Sequence, residues 1–247
     1  MKGPAPRLTL LPALLLALAA ATTARAEEPE AVRALVVPRT EAALASQLAA
    51  RIERLPLREG ERFRKGQLLV GLDCAVIRAE RQRAEAELKA ARHTFESNQK
   101  MRQLGSVSRL ELAVSESKVA QAGAELAKAR AREGYCRITA PFSGRVVKLE
   151  VHAHERVTTG QALLEILDDS QLLVQMYVPS SWLGWLQAGV ECEVRIGETG
   201  QSYPAEVTMI GARVDPVSRS IPIEAKITGD AGNLLSGMSG SARCTPP

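Results

Sequence analysis

A chain of 247 residues with only 3% aromatic side chains lacks the bulk for one large globular core, so small or thin modules held by Leu, Val, Ile and Ala are expected. Three of the four units of formal net charge come from the first 26 residues: without Lys2, Arg7 and Arg25 there are 29 basic against 28 acidic residues. That balance argues against nucleic acid as a partner.

At the N-terminus, Lys2 and Arg7 flank the start of an apolar run, Leu8 to Ala21, and Ala24–Ala26 has the small-x-small form of a cleavage site. Residues 1–26 therefore read as a cleaved signal peptide that exports the chain, with Glu27 the first mature residue. The alternative, an uncleaved anchor, is disfavoured because the run is shorter than the roughly 20 residues that span a bilayer. Residues 27–47 follow as an N-terminal segment with room for one strand.

The stretch "GERFRKGQLLVGLD" from Gly60 recurs 94 residues later as "HERVTTGQALLEIL" from His154. With the residues upstream, Arg51, Leu55, Glu61, Arg62, Gly66, Gln67 and Leu69 reappear as Arg145, Leu149, Glu155, Arg156, Gly160, Gln161 and Leu163. Two copies are too few for a solenoid, so they are expected to build one small β-domain from two halves, residues 48–73 and 136–168.

Between the halves, residues 74–135 change to helical patterning. From Ala75 to Leu104 there is no Gly or Pro, and Ile77, Arg81, Ala84, Leu88, Ala91, Phe95 and Asn98 recur at alternating steps of four and three. A second run from Leu110 places Leu112, Ser115, Val119, Ala122, Leu126 and Ala129 by the same spacing. These are two narrow coiled-coil seams. Gly105 is placed to end the first helix, with Lys100 and Arg102 suiting its negative end, and Ser108 with Glu111 forms a capping box for the second. So short a connection demands an antiparallel hairpin, and each arm at about 1.5 Å per residue reaches about 40 Å.

After Gln171 the runs "LLVQMYV", "VECEVRI", "AEVTMI" and "SIPIEAKI", punctuated by turn residues, predict a small antiparallel barrel or sandwich over residues 169–247. Pro179 to Gly189 is expected to form a short helix across its end. Trp182 and Trp185 are read there as inward-turned core, against the sharper reading of a ligand platform.

In this combination the chain resembles the periplasmic adaptor subunits, or HlyD-like membrane fusion proteins, of tripartite efflux and secretion systems. "REGERFRKGQLLVGLD" and "RITAPFSGRVVKLEVHAHERVTTGQALLEILD" are similar to the two halves of the family's lipoyl-like domain. "VDPVSRSIPIEAKI" with "LLSGMSGSARC" is similar to its barrel. The resemblance implies an elongated α+β fold: a split biotinyl/lipoyl-like β-domain, an inserted antiparallel α-helical hairpin, and a small β-barrel. It further implies a non-enzymatic adaptor that links an inner-membrane transporter to an outer-membrane channel and assembles as a homo-oligomeric ring; the cleaved signal peptide favours an RND-type pump over type I secretion, whose adaptors usually keep a membrane anchor. The alternative is a lipoyl-like scaffold or binding protein outside any pump. Many members carry a fourth, membrane-proximal domain; here the chain ends at Pro247, directly after the last barrel strand, and no such domain is expected.

No cofactor is expected. The turn that carries the modified Lys in true lipoyl carriers is replaced by the hairpin, entered at "LDCAVIR" without a Lys. His152 and His154 could share a face toward a metal, but His93 is distant, so solvent-facing turn histidines are the competing reading. Met101, Met176, Met209 and Met238 are scattered and suggest no soft-metal site. By the resemblance, the hairpin tip meets the channel through Met101, Leu104, Val107 and Ser108, with Arg102 as a replacement donor for the family's Arg, whose position is occupied by Ser97. The competing reading makes Ser108 a helix cap alone. Four cysteines in an exported chain could pair as Cys74–Cys136, at the two feet of the hairpin, and Cys192–Cys244, in two barrel strands; the alternative is four buried free thiols.

Overall fold

The computed structural model describes Gly3 and residues 31–246. The leader expected over residues 1–26 lies outside the described residues, Gly3 apart. The chain folds into a β-sandwich, a helical hairpin and a closed barrel.

The sandwich is assembled from the repeated halves. The first half, extended back beyond residue 48, has β2 (Glu41–Ala45), β3 (Ala50–Arg54), β4 (Arg62–Phe63) and β5 (Leu68–Leu72), and the second has β6 (Arg137–Thr139), β7 (Gly144–Leu149), β8 (Arg156–Val157) and β9 (Ala162–Leu167). One sheet runs β2-β9-β7-β4 and the other β6-β5-β3-β8. A shift of 94 residues carries β2 onto β6, β3 onto β7, β4 onto β8 and β5 onto β9, so it exchanges the sheets. Each sheet therefore mixes strands of both halves, and neither half has a complete sheet without the other.

The core between the sheets obeys the same shift. Ile52, Phe63, Leu69, Val70 and Leu72 are buried, and so are their counterparts Val146, Val157, Leu163, Leu164 and Ile166. The recurring polar residues have a local reason. The Glu61 carboxylate accepts from Arg58 N at 3.0 Å and Glu155 accepts from His152 N at 2.9 Å. Gln67 accepts from Arg64 N and Gln161 from Thr158 N, both at 3.0 Å. Gly66 and Gly160, at φ 80° and 84°, supply the left-handed turn residue before each Gln. Their backbone N–H groups donate to Ala140 O and Ser46 O, locking each turn against the other half.

The hairpin leaves the sandwich after β5 and returns before β6. Helix α1 spans Ala75–Gln103 and α2 spans Arg109–Gly134. Ala84 and Leu88 of α1 pack with Leu126 of α2, and Val119, Ala122 and Ala129 complete the contact. Every seam position expected from the four-three spacing is at least half-buried, whereas the residues between them are mostly exposed. Ion pairs stitch the flanks near the base: Arg81 to Glu133 at 2.8 Å and Arg132 to Glu80 at 2.9 Å.

The barrel has the closed order β1-β10-β13-β12-β11-β14. Its strands are β1 (Val32–Pro38), β10 (Leu172–Pro179), β11 (Glu191–Ile196), β12 (Ser202–Ile210), β13 (Ser220–Ile227) and β14 (Ser239–Cys244). A turn of 3-10 helix, Ser180–Gly184, follows β10. The segment 27–47, expected to add one strand, supplies two. β1 closes the barrel between β10 and β14, and β2 joins the sandwich. Alternation explains the first: Val32, Ala34 and Val36 face the barrel core while Arg33 and Leu35 face out.

Two strand connections thus cross between sandwich and barrel. Arg39 N donates to Gln171 O and Asp168 N to Thr40 O, both at 2.9 Å, so the crossings run bonded side by side. Asp169 fastens them to the sandwich. Its carboxylate lies 2.8 Å from Arg62 and 3.3 Å from Arg145, a directly paired couple on β4 and β7.

Candidate functional site

The hairpin tip is a short turn between two well-finished helix ends. Gly105 takes φ 75°, its N–H donates to Arg102 O at 3.1 Å, and Ser106 N donates to Met101 O at 2.9 Å. These are the two bonds of a Schellman motif, which satisfies carbonyls the helix would leave orphaned. On the other side, Ser108 Oγ accepts from Glu111 N at 3.1 Å while the Glu111 carboxylate accepts from Ser108 N at 2.9 Å. The Ser108 backbone N–H, and then its side chain, hold the Glu111 carboxyl below its ordinary pKa.

The five tip residues singled out in the sequence do not share one environment. Met101 and Leu104 are exposed, Leu104 at 81%. Val107 is buried, and Arg102 turns back to donate to Val107 O at 3.0 Å. Ser108 is engaged in its capping box. Val107 and Arg102 therefore hold the turn together, and Met101 and Leu104 present apolar surface to the outside. Leu110 and Val114, at the start of α2, add to that surface and were not singled out. Their signal was available: Leu110 and Val114 lie outside the Leu112–Ser115–Val119 seam, so a helix with that seam must show them to solvent.

At the base, Cys74 and Cys136 are joined by a disulfide with Cα atoms 6.1 Å apart, both buried in the sandwich core. The chain leaves β5 and enters β6 as neighbours in one sheet, which brings the two feet of the hairpin together. Cys192 and Cys244 are also joined; they face each other directly across β11 and β14 in the barrel core, with Cα atoms 4.0 Å apart.

The other candidates are dispersed. His152 is solvent-facing, with Nδ1 3.6 Å from Glu155, and His93 is far along α1, 3.8 Å from Glu96. Among the described residues no group of three His, Cys, Asp or Glu side chains could hold a metal ion. Trp182 packs into the barrel core against Trp185, ring centroids 5.1 Å apart. Met176 is core, and Met101, Met209 and Met238 are not near one another in the chain. No helix among the described residues is long and apolar enough to cross a membrane.

Known proteins share this architecture. A chimera of MacA carrying the α-hairpin domain of MexA from Pseudomonas aeruginosa superposes with a TM-score of 0.79 at 19% identity, over 89% of this chain and 82% of that one. That likeness supports the fold alone. An uncharacterised protein of Haemophilus influenzae is 27% identical over 218 residues, covering 86% of this chain and 56% of its own length. The macrolide export protein MacA of Escherichia coli O157:H7 is 27% identical over 175 residues, covering 58% of this chain and 47% of its own length. The chain thus spans about half the length of the curated relatives it matches. Residues 40–169, the sandwich with its hairpin, match the family model described as RND MFP, barrel-sandwich hybrid domain. The chain belongs to the membrane fusion proteins of the RND type, whose barrel-sandwich hybrid domain is the split, hairpin-bearing sandwich described above.

Proposed function

We propose that the protein is a non-enzymatic periplasmic adaptor that links an inner-membrane transporter to an outer-membrane channel in a tripartite efflux pump of the RND type. The observation that carries this reading is the long antiparallel hairpin set into the split sandwich. Arms of about 40 Å, at 1.5 Å per residue, extend from the sandwich and end in an apolar tip at Met101 and Leu104. Such a part suits bridging between partners, with the sandwich of neighbouring copies packing into a ring. Residues 1–26 direct export in this reading, and the transporter supplies the energy. That the relative MacA is a macrolide export protein agrees with it.

The test is crosslinking of the full-length protein in native envelopes, followed by identification of what is captured. Recovery of both a transporter and a channel supports the adaptor. Recovery of neither leaves a lipoyl-like scaffold outside any pump as the correct reading.

A further inference from the structure

The shift of 94 residues that preserves the sandwich core and its turns does not preserve the charge on its outer faces. On the sheet β2-β9-β7-β4, Lys148 points outward from β7, with Glu150 at 2.7 Å, Glu165 across from it on β9, and Glu59 fixed beside it by accepting from Leu149 N at 2.8 Å. These three carboxylates hold the Lys148 ammonium above its ordinary pKa, Glu150 foremost. The counterpart positions on the opposite sheet are Arg54 for Lys148, Pro56 for Glu150, Gly71 for Glu165 and Ala153 for Glu59. Every acid has been removed and the cation kept. Arg54 lies over Gly71, where a Glu side chain would otherwise project. Arg137, exposed on β6, stands where the first sheet has Ala43.

One outer face therefore carries a patch of three acids around one Lys, and the opposite face carries Arg54 and Arg137 with no acid at the matching places. The basic residues Arg64 and Lys65 belong to the loop after β4 and to neither outer face. They lie at the edge where β4 approaches the chain after β6, with Lys65 N donating to Ser143 Oγ. Because the faces of a sandwich look in opposite directions, a two-fold contact would set like charge on like. A head-to-tail contact sets acid on base, and a heterologous contact of this kind generates a ring where its rotation closes.

We propose that the Glu150–Glu165–Glu59 face of one sandwich docks on the Arg54–Arg137 face of the next copy, so that self-association is heterologous and set by charge. This deepens the ring-forming adaptor reading and rests on it. The contact is between partly exposed charges, so it weakens as ionic strength rises.

The experiment is sedimentation velocity on the full mature chain in low salt, with two charge-reversed variants. R54E/R137E makes both faces acidic; E150R/E165R makes both faces basic. All four positions are surface side chains, and circular dichroism melting of each variant checks that the fold is retained. We expect the wild type to self-associate, each variant to do so at least tenfold more weakly, and an equimolar mixture of the two to recover assembly, since acidic faces then meet basic ones. Wild-type assembly that both variants match overturns the assigned faces and leaves the ring reading standing. Weakening without recovery in the mixture overturns the head-to-tail pairing. A wild type that stays monomeric at all concentrations removes the ring reading as well.

Discussion

Gly60 and His154 occupy equivalent positions in the two halves of the sandwich, and both adopt positive φ, 80° and 71°. Each donates its backbone N–H to the opposite half, Gly60 to Val146 O at 2.8 Å and His154 to Ile52 O at 3.0 Å. The turn needs a left-handed residue in both copies. Glycine takes that conformation freely, whereas an L side chain does so at about 1–2 kcal/mol. His154→Gly is expected to raise stability by a few tenths to about 1 kcal/mol, the relief of strain exceeding the added freedom of the unfolded chain. His154→Val, β-branched, is expected to lower it by about 1–2 kcal/mol. Urea unfolding of both variants checks this; a destabilised His154→Gly would mean that the imidazole makes a contact worth more than the strain.

Asp169 is expected to govern how firmly the barrel connection is held to the sandwich. Its largely buried carboxylate separates two arginines, Arg62 and Arg145, that face each other directly across β4 and β7. Asp169→Asn keeps the shape but leaves like charges opposed, which is unfavourable on neighbouring strands. A loss of up to about 1 kcal/mol is expected, with faster amide exchange at residues 168–172, and Arg62→Gln on the same background should recover part of it. Unchanged exchange at these amides in Asp169→Asn would show that the backbone bonds of Arg39 and Thr40 suffice.

The sandwich and hairpin were legible because their determinants are local. Glu61, Gly66 and Gln67 act on backbone within a few residues, so the same chemistry had to recur at Glu155, Gly160 and Gln161 for the same turns to form. The seam of the hairpin was legible for a similar reason, since Ala84, Leu88 and Leu126 follow the helical period. The barrel was only half legible. Residues 32–38 alternate as a strand should, but their partners are Ala242 and Met176, and no local pattern says that the chain's first strand closes a barrel begun more than 130 residues later. At the tip, Val107 reads as an outward apolar residue in a turn, yet it is buried under the link from Arg102 to its own carbonyl.

The Cys74–Cys136 bridge is expected to staple the feet of the hairpin and close a loop with a sequence separation of 62 residues. Cross-linking a loop of this size restricts the unfolded chain by about 4 kcal/mol. Cys74→Ser with Cys136→Ser should lower stability by up to that amount and speed amide exchange in the first turns of α1 and last turns of α2. Non-reducing peptide mapping of the exported protein checks the pairing itself; free Cys74 and Cys136 thiols there would remove the staple.

The tip distinguishes two roles for Ser108, a helix cap and a contact surface, because Asp can replace it in the first role only. Ser108→Ala removes the acceptor for Glu111 N and is expected to cost about 1 kcal/mol, seen as faster exchange in the first turn of α2. Ser108→Asp retains a good cap and should exchange as the wild type does, while adding a negative charge to the tip. The Glu111 carboxyl is held below its ordinary pKa in the folded tip, so its contribution is complete above the usual carboxylate range and is lost as pH falls through the lowered folded value. Acid should therefore fray the start of α2 in the wild type, and Glu111→Gln should shrink that acid-dependent part. If the tip meets a channel through Ser108, Ser108→Asp impairs export with the helix intact. Normal export by Ser108→Asp, together with faster exchange in Ser108→Ala, assigns Ser108 to the cap and leaves Met101 and Leu104 as the residues that face a partner.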